Sequence, residues 1–345
     1  MAMWFDESRL DDERVLAAHD LPLRALAESG ARVRREAHDA SAATAAAIAG
    51  QQGVDQPRAV IAAGPDSRLL RAVLEPWCPV PFVAWPGPAL PGWAGSLDLV
   101  VMLAPEGSDS GSASAVAEAV RRGCQVVVAC PAGSMVAEHA AGRYTTLLPT
   151  VTGDQLATAV VMLDYLAQVR LGPRADAEDV ATALDAVAEQ CSPFRDLAVN
   201  PAKMLAIALA DTNPLVWGGS VLAARAARRV AESIRRASGR TALAGDAEHL
   251  VPVLEAARPR DVFADPFADG DAPAERRPLL VVLDDGAEDP VVREQRGRLQ
   301  AAAARRDVLV ETVSTEAENE LARYASLVLQ GTYAAEYLRI GFTSD

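Results

Sequence analysis

Lysine is almost absent from this 345-residue chain: Lys203 is the only one, and the other basic side chains counted among its 33 are arginines. Arginine keeps its proton at neutral pH, so chemistry that needs an amine base or a Schiff base has one candidate. Histidine is scarce as well. His19, His38, His139 and His249 are scattered, without the spacing of metal ligands. Four cysteines, Cys78, Cys124, Cys130 and Cys191, form no C-x-x-C pair and are too sparse for a disulfide scaffold, which predicts a reduced, cytoplasmic setting. Cys124 and Cys130 bracket a VVV run with even spacing, so in a strand they share one face as buried structural thiols. No apolar run approaches the length of a membrane span. The start, MAMWFDESRLDDERV, lacks the basic and apolar regions of a secretory signal. A formal charge of −14 opposes broad attraction to nucleic acid or anionic lipid. The expectation is therefore a protein with no nucleic-acid or membrane partner and no metal.

What the sequence does contain is apolar substance, 50% of all residues, enough for two domains or one large one. Short β-rich runs alternate with helical patterns, the signature of a parallel-sheet α/β protein. In the first half the runs are AVIAA (59–63), PFVAW (81–85), DLVVMLA (98–104), QVVVAC (125–130) and YTTLL (144–148). Helical patterns include SRLLRAVL, SAVAEAVRRG and a long stretch over 154–171, stopped by Gly172-Pro173. In the second half the runs are PLVW (214–217), PLLVVLD (278–284) and DVLVETV (307–313), before a final helix around 316–339.

The halves resemble each other. AVIAAGPDSRLLRAVL parallels PLVWGGSVLAARAARRV, each an apolar strand, a glycine turn and an Arg/Ala/Leu helix. The segment beginning LDLVVMLA likewise parallels the one beginning PLLVVLDD. The expected architecture is thus two doubly wound parallel-sheet domains: a helical segment at 1–50, the first domain at 51–172, a helical connector at 173–198 and the second domain at 199–345.

The stretch APEGSDSGSASAVAEAVRRG (104–123) packs Ser108, Ser110, Ser112 and Ser114 between a strand and a helix, with Glu106 and Asp109 among them. Backbone N–H groups and the positive end of a helix converge at such a junction, so serine hydroxyls there could cradle an anion, with Gly111 allowing close backbone approach. Serine is equally favoured at a helix N-cap and in a solvated loop. Taken alone, the loop reads better as the cap. Three other stretches are weaker candidates. The acids of DDGAEDP (284–290) suit a helix N-terminus better than a metal, and WGGS (217–220) suits a close strand-to-helix crossing. The arginines of ARAARRVAESIRRASGR suit a solvated helix face.

The motif SDSGSAS resembles the S-x-S-G-x-T phosphosugar loop of sugar isomerase (SIS) domains, and the chain resembles the bifunctional phosphoglucose/phosphomannose isomerases in an actinobacterial-type, TobH-like branch. NPAKMLAIAL is similar to that family's entry into its second SIS unit, LDDGAEDPVVREQRGRL to its acidic loop and Arg-rich helix, and LARYASLVLQGTYAAEYLRIG to its closing helix. The resemblance implies two SIS domains in a homodimer and interconversion of glucose 6-phosphate or mannose 6-phosphate with fructose 6-phosphate. It implies an enediol route with no metal or redox cofactor. Ser108, Ser110 and Gly111 match the phosphate loop; the family's threonine falls on Ala113, leaving Ser112 or Ser114 to supply a hydroxyl. Gly64 matches the first glycine turn, followed by Ser67, but Asp66 stands where the family has a phosphate-binding serine. Arg236 stands at the family's base glutamate. His249 is the nearest counterpart of the family's histidine, out of register, and the chain ends at GFTSD without the family's last lysine. Lys203 is expected to be structural. Two functions follow: a phosphosugar isomerase with rearranged groups, His249 its acid/base residue, or a regulatory or scaffold module that keeps the fold and the serine loop without the reaction.

Overall fold

A computed structural model describes residues 4–50, 56–258 and 276–342. The expected domain start at residue 51 and the last three residues of GFTSD lie outside the described residues. The chain divides into two compact units, Ser29–Thr182, and Met1–Glu28 together with Ala183–Asp345.

The short helices α1 (Glu13–Ala18) and α2 (Asp20–Ala27) precede the long α3 (Ser29–Gly50). The unit beginning with α3 is built on five parallel strands: β1 (Val60–Ala63), β2 (Phe82–Trp85), β3 (Leu99–Leu103), β4 (Gln125–Cys130) and β5 (Thr145–Pro149), in the order β2-β1-β3-β4-β5. Strands β1 and β3 are buried at every position, which is why they read as unbroken apolar runs rather than alternating ones. Helices α4 (Ser67–Leu74), α5 (Ser110–Arg121), α6 (Met135–His139) and α7 (Gln155–Gln168) connect or follow them. Cys124 and Cys130 pack in one core cluster with Met102 and Val128, as their spacing implied. Glycine 172 is not the stop of α7. The helix ends at Gln168, with Arg170 turned to φ 61°, a left-handed residue that reverses the chain before the Gly-Pro signal.

Helix α8 (Ala177–Gln190) spans the division between the units. Beyond it come α9 (Pro201–Ala210), β6 (Thr212–Gly218), α10 (Val221–Ser238), β7 (Leu243–Ala244), α11 (Ala247–Glu255), β8 (Arg277–Asp284), α12 (Pro290–Arg305), β9 (Val310–Ser314) and α13 (Glu320–Phe342). Their four parallel strands run β7-β6-β8-β9. Counted within each unit, the order is 2-1-3-4 in both sheets, and the first adds a fifth strand. The doubly wound repeat read from the sequence is therefore present in the topology. Strand β7 went unread because it has only two residues, pairing with Leu215 and Val216; no period can show in so short a run.

Lys203 is fully buried in α9. Its three donors are all used, by Asp11 at 2.6 Å and the carbonyls of Pro193 and Arg195 at 2.9 and 2.8 Å. The ammonium also lies 5.6 Å from the Tyr337 ring centroid. The only lysine is thus a structural staple, as expected.

Candidate ligand crevice

In a doubly wound sheet the strand order reverses between the first and third strands, and the loops leaving their C-terminal ends diverge to leave a crevice. In the first sheet that place lies between β1 and β3. Two turns meet there, Gly64-Pro65-Asp66-Ser67 and the serine stretch after β3.

Gly64 has φ 87°, and a Cβ on it would lie 3.3 Å from the Ser112 hydroxyl. The structure therefore brings Gly64 and Ser112 together. Ser67 begins α4 with its hydroxyl buried and without a hydrogen-bond partner, and a buried polar atom left so is costly unless something supplies a partner. Asp66 precedes it, caps nothing with its side chain, and accepts a hydrogen bond from the Gln155 amide at the start of α7. Arg68, on the first turn of α4, is exposed with no hydrogen bond or ion pair among the described residues.

The serine stretch differs from its sequence reading. Helix α5 starts at Ser110 rather than Ser114, so Ser110, Gly111 and Ser112 form its first turn. Its N-cap is Asp109, whose carboxylate accepts the Ser112 N–H at 2.7 Å. Hydrogen bonds from the Ser112 side chain and N–H, and from Gly111, hold the Asp109 carboxyl below its ordinary range. Ser112 is buried, whereas Ser108, Ser110 and Ser114 are exposed. Pro88 lies across Gly111, 3.6 Å from where its Cβ would be. The spot where helix N–H groups would greet an anion thus already holds a carboxylate of the chain itself.

Residues distant in sequence set this crevice. Glu36, wholly buried in α3, accepts the N–H groups of Val151 and Thr152 at 2.8 and 2.7 Å and the Thr152 hydroxyl at 2.6 Å. Arg32 pairs with Asp154, the N-cap of α7, at 2.8 Å. Together they fix the turn that carries Gln155 to Asp66. Their separations of 89 to 122 residues left no local signal for Glu36, Arg32 or Gln155.

The second sheet has the matching place between β6 and β8. A Cβ on Gly218 would stand 2.3 Å from the Ala223 backbone, so this glycine serves the close crossing expected of WGGS. Ser220 caps α10 and donates its hydroxyl to Asp285. Asp284 takes both terminal nitrogens of Arg296, at 2.6 and 2.7 Å, and Asp289 caps α12. Asp284, Asp285 and Asp289 of DDGAEDP are thus spent on helix starts and one bidentate pair. Among the described residues no group of three or more His, Cys, Asp or Glu side chains could hold a metal ion.

The remaining sequence candidates lie apart from the serine loop in the chain's division. His249 sits exposed on the first turn of α11, in the unit that contains the second sheet, with no side-chain hydrogen bond among the described residues. Arg236 is on α10 of the same unit, 75% exposed and paired with Glu232 at 2.6 Å.

Comparison with known proteins agrees with this architecture. Residues 198–341 match the family model of the bacterial phospho-glucose isomerase C-terminal SIS domain. Among solved structures, tagatose-6-phosphate ketose/aldose isomerase from Escherichia coli superposes with a TM-score of 0.67 at 13% identity, over 92% of this chain and 93% of that one. The C-terminal domain of glucosamine-fructose-6-phosphate aminotransferase from Francisella tularensis gives 0.59 at 9% identity, over 90% and 96%. Similarity at these identities speaks for the fold. No curated protein matches the chain. No helix among the described residues is long and apolar enough to cross a membrane.

Proposed function

Because this chain has the SIS fold and its residues 198–341 match the bacterial phospho-glucose isomerase C-terminal SIS domain, we propose that it binds sugar phosphates in the crevice of its first sheet without isomerising them. The observation that carries this reading is Arg236. The resemblance puts a base glutamate there, and the side chain found is a cation on the solvent face of α10, tied to Glu232. Enediol chemistry needs a group that takes a proton from carbon, worth roughly 10²–10⁴-fold when well positioned. A guanidinium cannot take it.

Binding draws on Ser67, whose buried hydroxyl lacks a partner, on the exposed cation of Arg68, and on Ser108, Ser110, Ser112 and Ser114 around Gly64 and Gly111. Asp66 and Asp109 oppose a phosphate dianion, so affinity is weak. A second reading rests on those same two acids: carboxylates accept hydrogen bonds from sugar hydroxyls, and the crevice then prefers an uncharged sugar. Under either reading the protein is a homodimeric regulatory or scaffold module of the cytoplasm, using no cofactor. Titration calorimetry with glucose 6-phosphate, mannose 6-phosphate and fructose 6-phosphate, beside glucose, mannose and fructose, separates the two. Phosphosugar binding lost on a combined Ser108→Ala and Ser110→Ala change supports the first reading. Binding of the free sugars alone supports the second, and binding of neither overturns both.

A further inference from the structure

A second concavity lies in the Ser29–Thr182 unit, between α3, α7 and the turn into α8. Its volume is about 320 Å³, within the range of small-ligand sites. The α3 wall is made of small side chains, Ala37, Ala40, Ser41, Thr44 and Ala45, which leave room where larger residues would fill the space against α7. Opposite them α7 presents Asp164 and Gln168, and the turn contributes Arg174 and Asp176.

The polar groups are unevenly matched. Arg174 pairs with Asp176 at 3.0 Å and is 87% exposed. Asp164 has no ion pair among the described residues; its carboxylate takes only the Gln168 amide, at 2.8 Å. Thr44 is 5% exposed, and its hydroxyl has no hydrogen-bond partner among the described residues. Burial and the neighbouring Asp176 raise the Asp164 pKa, the behaviour of a carboxylate that lacks a nearby cation. Two carboxylates against one arginine already in use reject an anion. The hydroxyl and carboxylates do not suit an apolar guest, and two carboxylates are too few for an all-protein metal site.

We propose that this cleft binds a small organic ammonium compound that also carries a hydroxyl, its N–H groups donating to Asp164 and its hydroxyl meeting Thr44. A primary ammonium supplies the cation that Asp164 lacks and has donors to spare, and the small α3 wall gives it space.

Ethanolamine is the probe, titrated into the full chain by ligand-observed NMR and calorimetry, with tetramethylammonium and glycerol as comparisons. The first has the charge without N–H donors, the second the hydroxyls without charge. Ethanolamine should bind at least tenfold more tightly than either. Asp164→Asn should weaken it at least tenfold and Thr44→Val severalfold, without lowering the unfolding temperature of the unliganded Asp164→Asn protein. Ala45→Leu, an exposed change on the opposite wall, should weaken it too and keeps the test independent of how Asp164→Asn folds. Equal binding by wild type and all three cleft variants, equal binding of tetramethylammonium, or no ethanolamine binding at all overturns the assignment.

Discussion

Asp109 decides the character of the serine loop. An N-cap carboxylate of this kind contributes about 1 kcal/mol to its helix, and here it also places a negative charge where a phosphate would approach. Asp109→Ser keeps a capping oxygen and removes the charge. Repulsion between charges some 4 Å apart in a water-screened site is about 1 kcal/mol per pair of unit charges, about 2 kcal/mol against a phosphate dianion, so the variant should bind glucose 6-phosphate about thirtyfold more tightly by calorimetry. Unchanged affinity would place the ligand elsewhere. Lys203→Met belongs to the same scale. It leaves the carbonyls of Pro193 and Arg195 without their donor and Asp11 without its ion, and should lower stability in urea by about 3 kcal/mol. A loss under 1 kcal/mol would mean that the staple is dispensable. At this scale legibility was uneven. Gly64 and the serines stood out because turns at strand-to-helix junctions have local chemistry. Asp109 could be seen but not assigned, since an acid among four serines fits a cap and a loop equally until the first helical residue is known. Gln155, Glu36 and Arg32 could not be found, because what makes them matter is a partner about a hundred residues away.

Among the elements, two glycines give opposite expectations. Gly218→Ala forces a Cβ to within 2.3 Å of the Ala223 backbone, where no side chain can move aside, and should destabilise by about 3 kcal/mol. Gly297→Ala, in the interior of α12 with nothing within 4 Å of the added carbon, should stabilise by about 1 kcal/mol. Thermal unfolding of the two variants checks both signs. The capping acids set the pH response. Asp12, Asp109 and Asp176 are all held below the ordinary 3.8 in the folded chain, Asp12 and Asp176 chiefly by backbone N–H bonds and Asp109 by Ser112. Lowered carboxyl values stabilise the fold fully above the unfolded value and lose that contribution as pH falls through the folded one. Their contribution should therefore be constant above about pH 5 and fall below about pH 4. In acid titration, Asp109→Ser should flatten the decline. The strands were legible to within one or two residues wherever an apolar run was buried on both faces. The start of α5 was not, because serine disfavours helix interiors and the run was read as loop until Asp109 supplied the cap.

For the molecule as a whole, the two sheets share one strand order but use their switch points differently. The first leaves Ser67 unpartnered beside Asp66; the second ties Ser220 to Asp285 and Asp284 to Arg296. Duplication could be read from sequence because strand, glycine turn and helix recur in the same order. The difference in use could not, since it depends on which acids meet which donors across neighbouring turns. The homodimer included in the proposed function predicts twice the chain mass in light scattering after gel filtration, and a monomer would contradict it. The central claim is that an SIS protein with Arg236 in place of a base no longer moves a proton between sugar carbons. A coupled assay of the purified wild-type chain at high concentration, with glucose 6-phosphate, mannose 6-phosphate and fructose 6-phosphate and followed in both directions, tests it most directly. The account predicts no turnover above background; turnover within the ordinary enzymatic range of about 1–10³ s⁻¹ would contradict it.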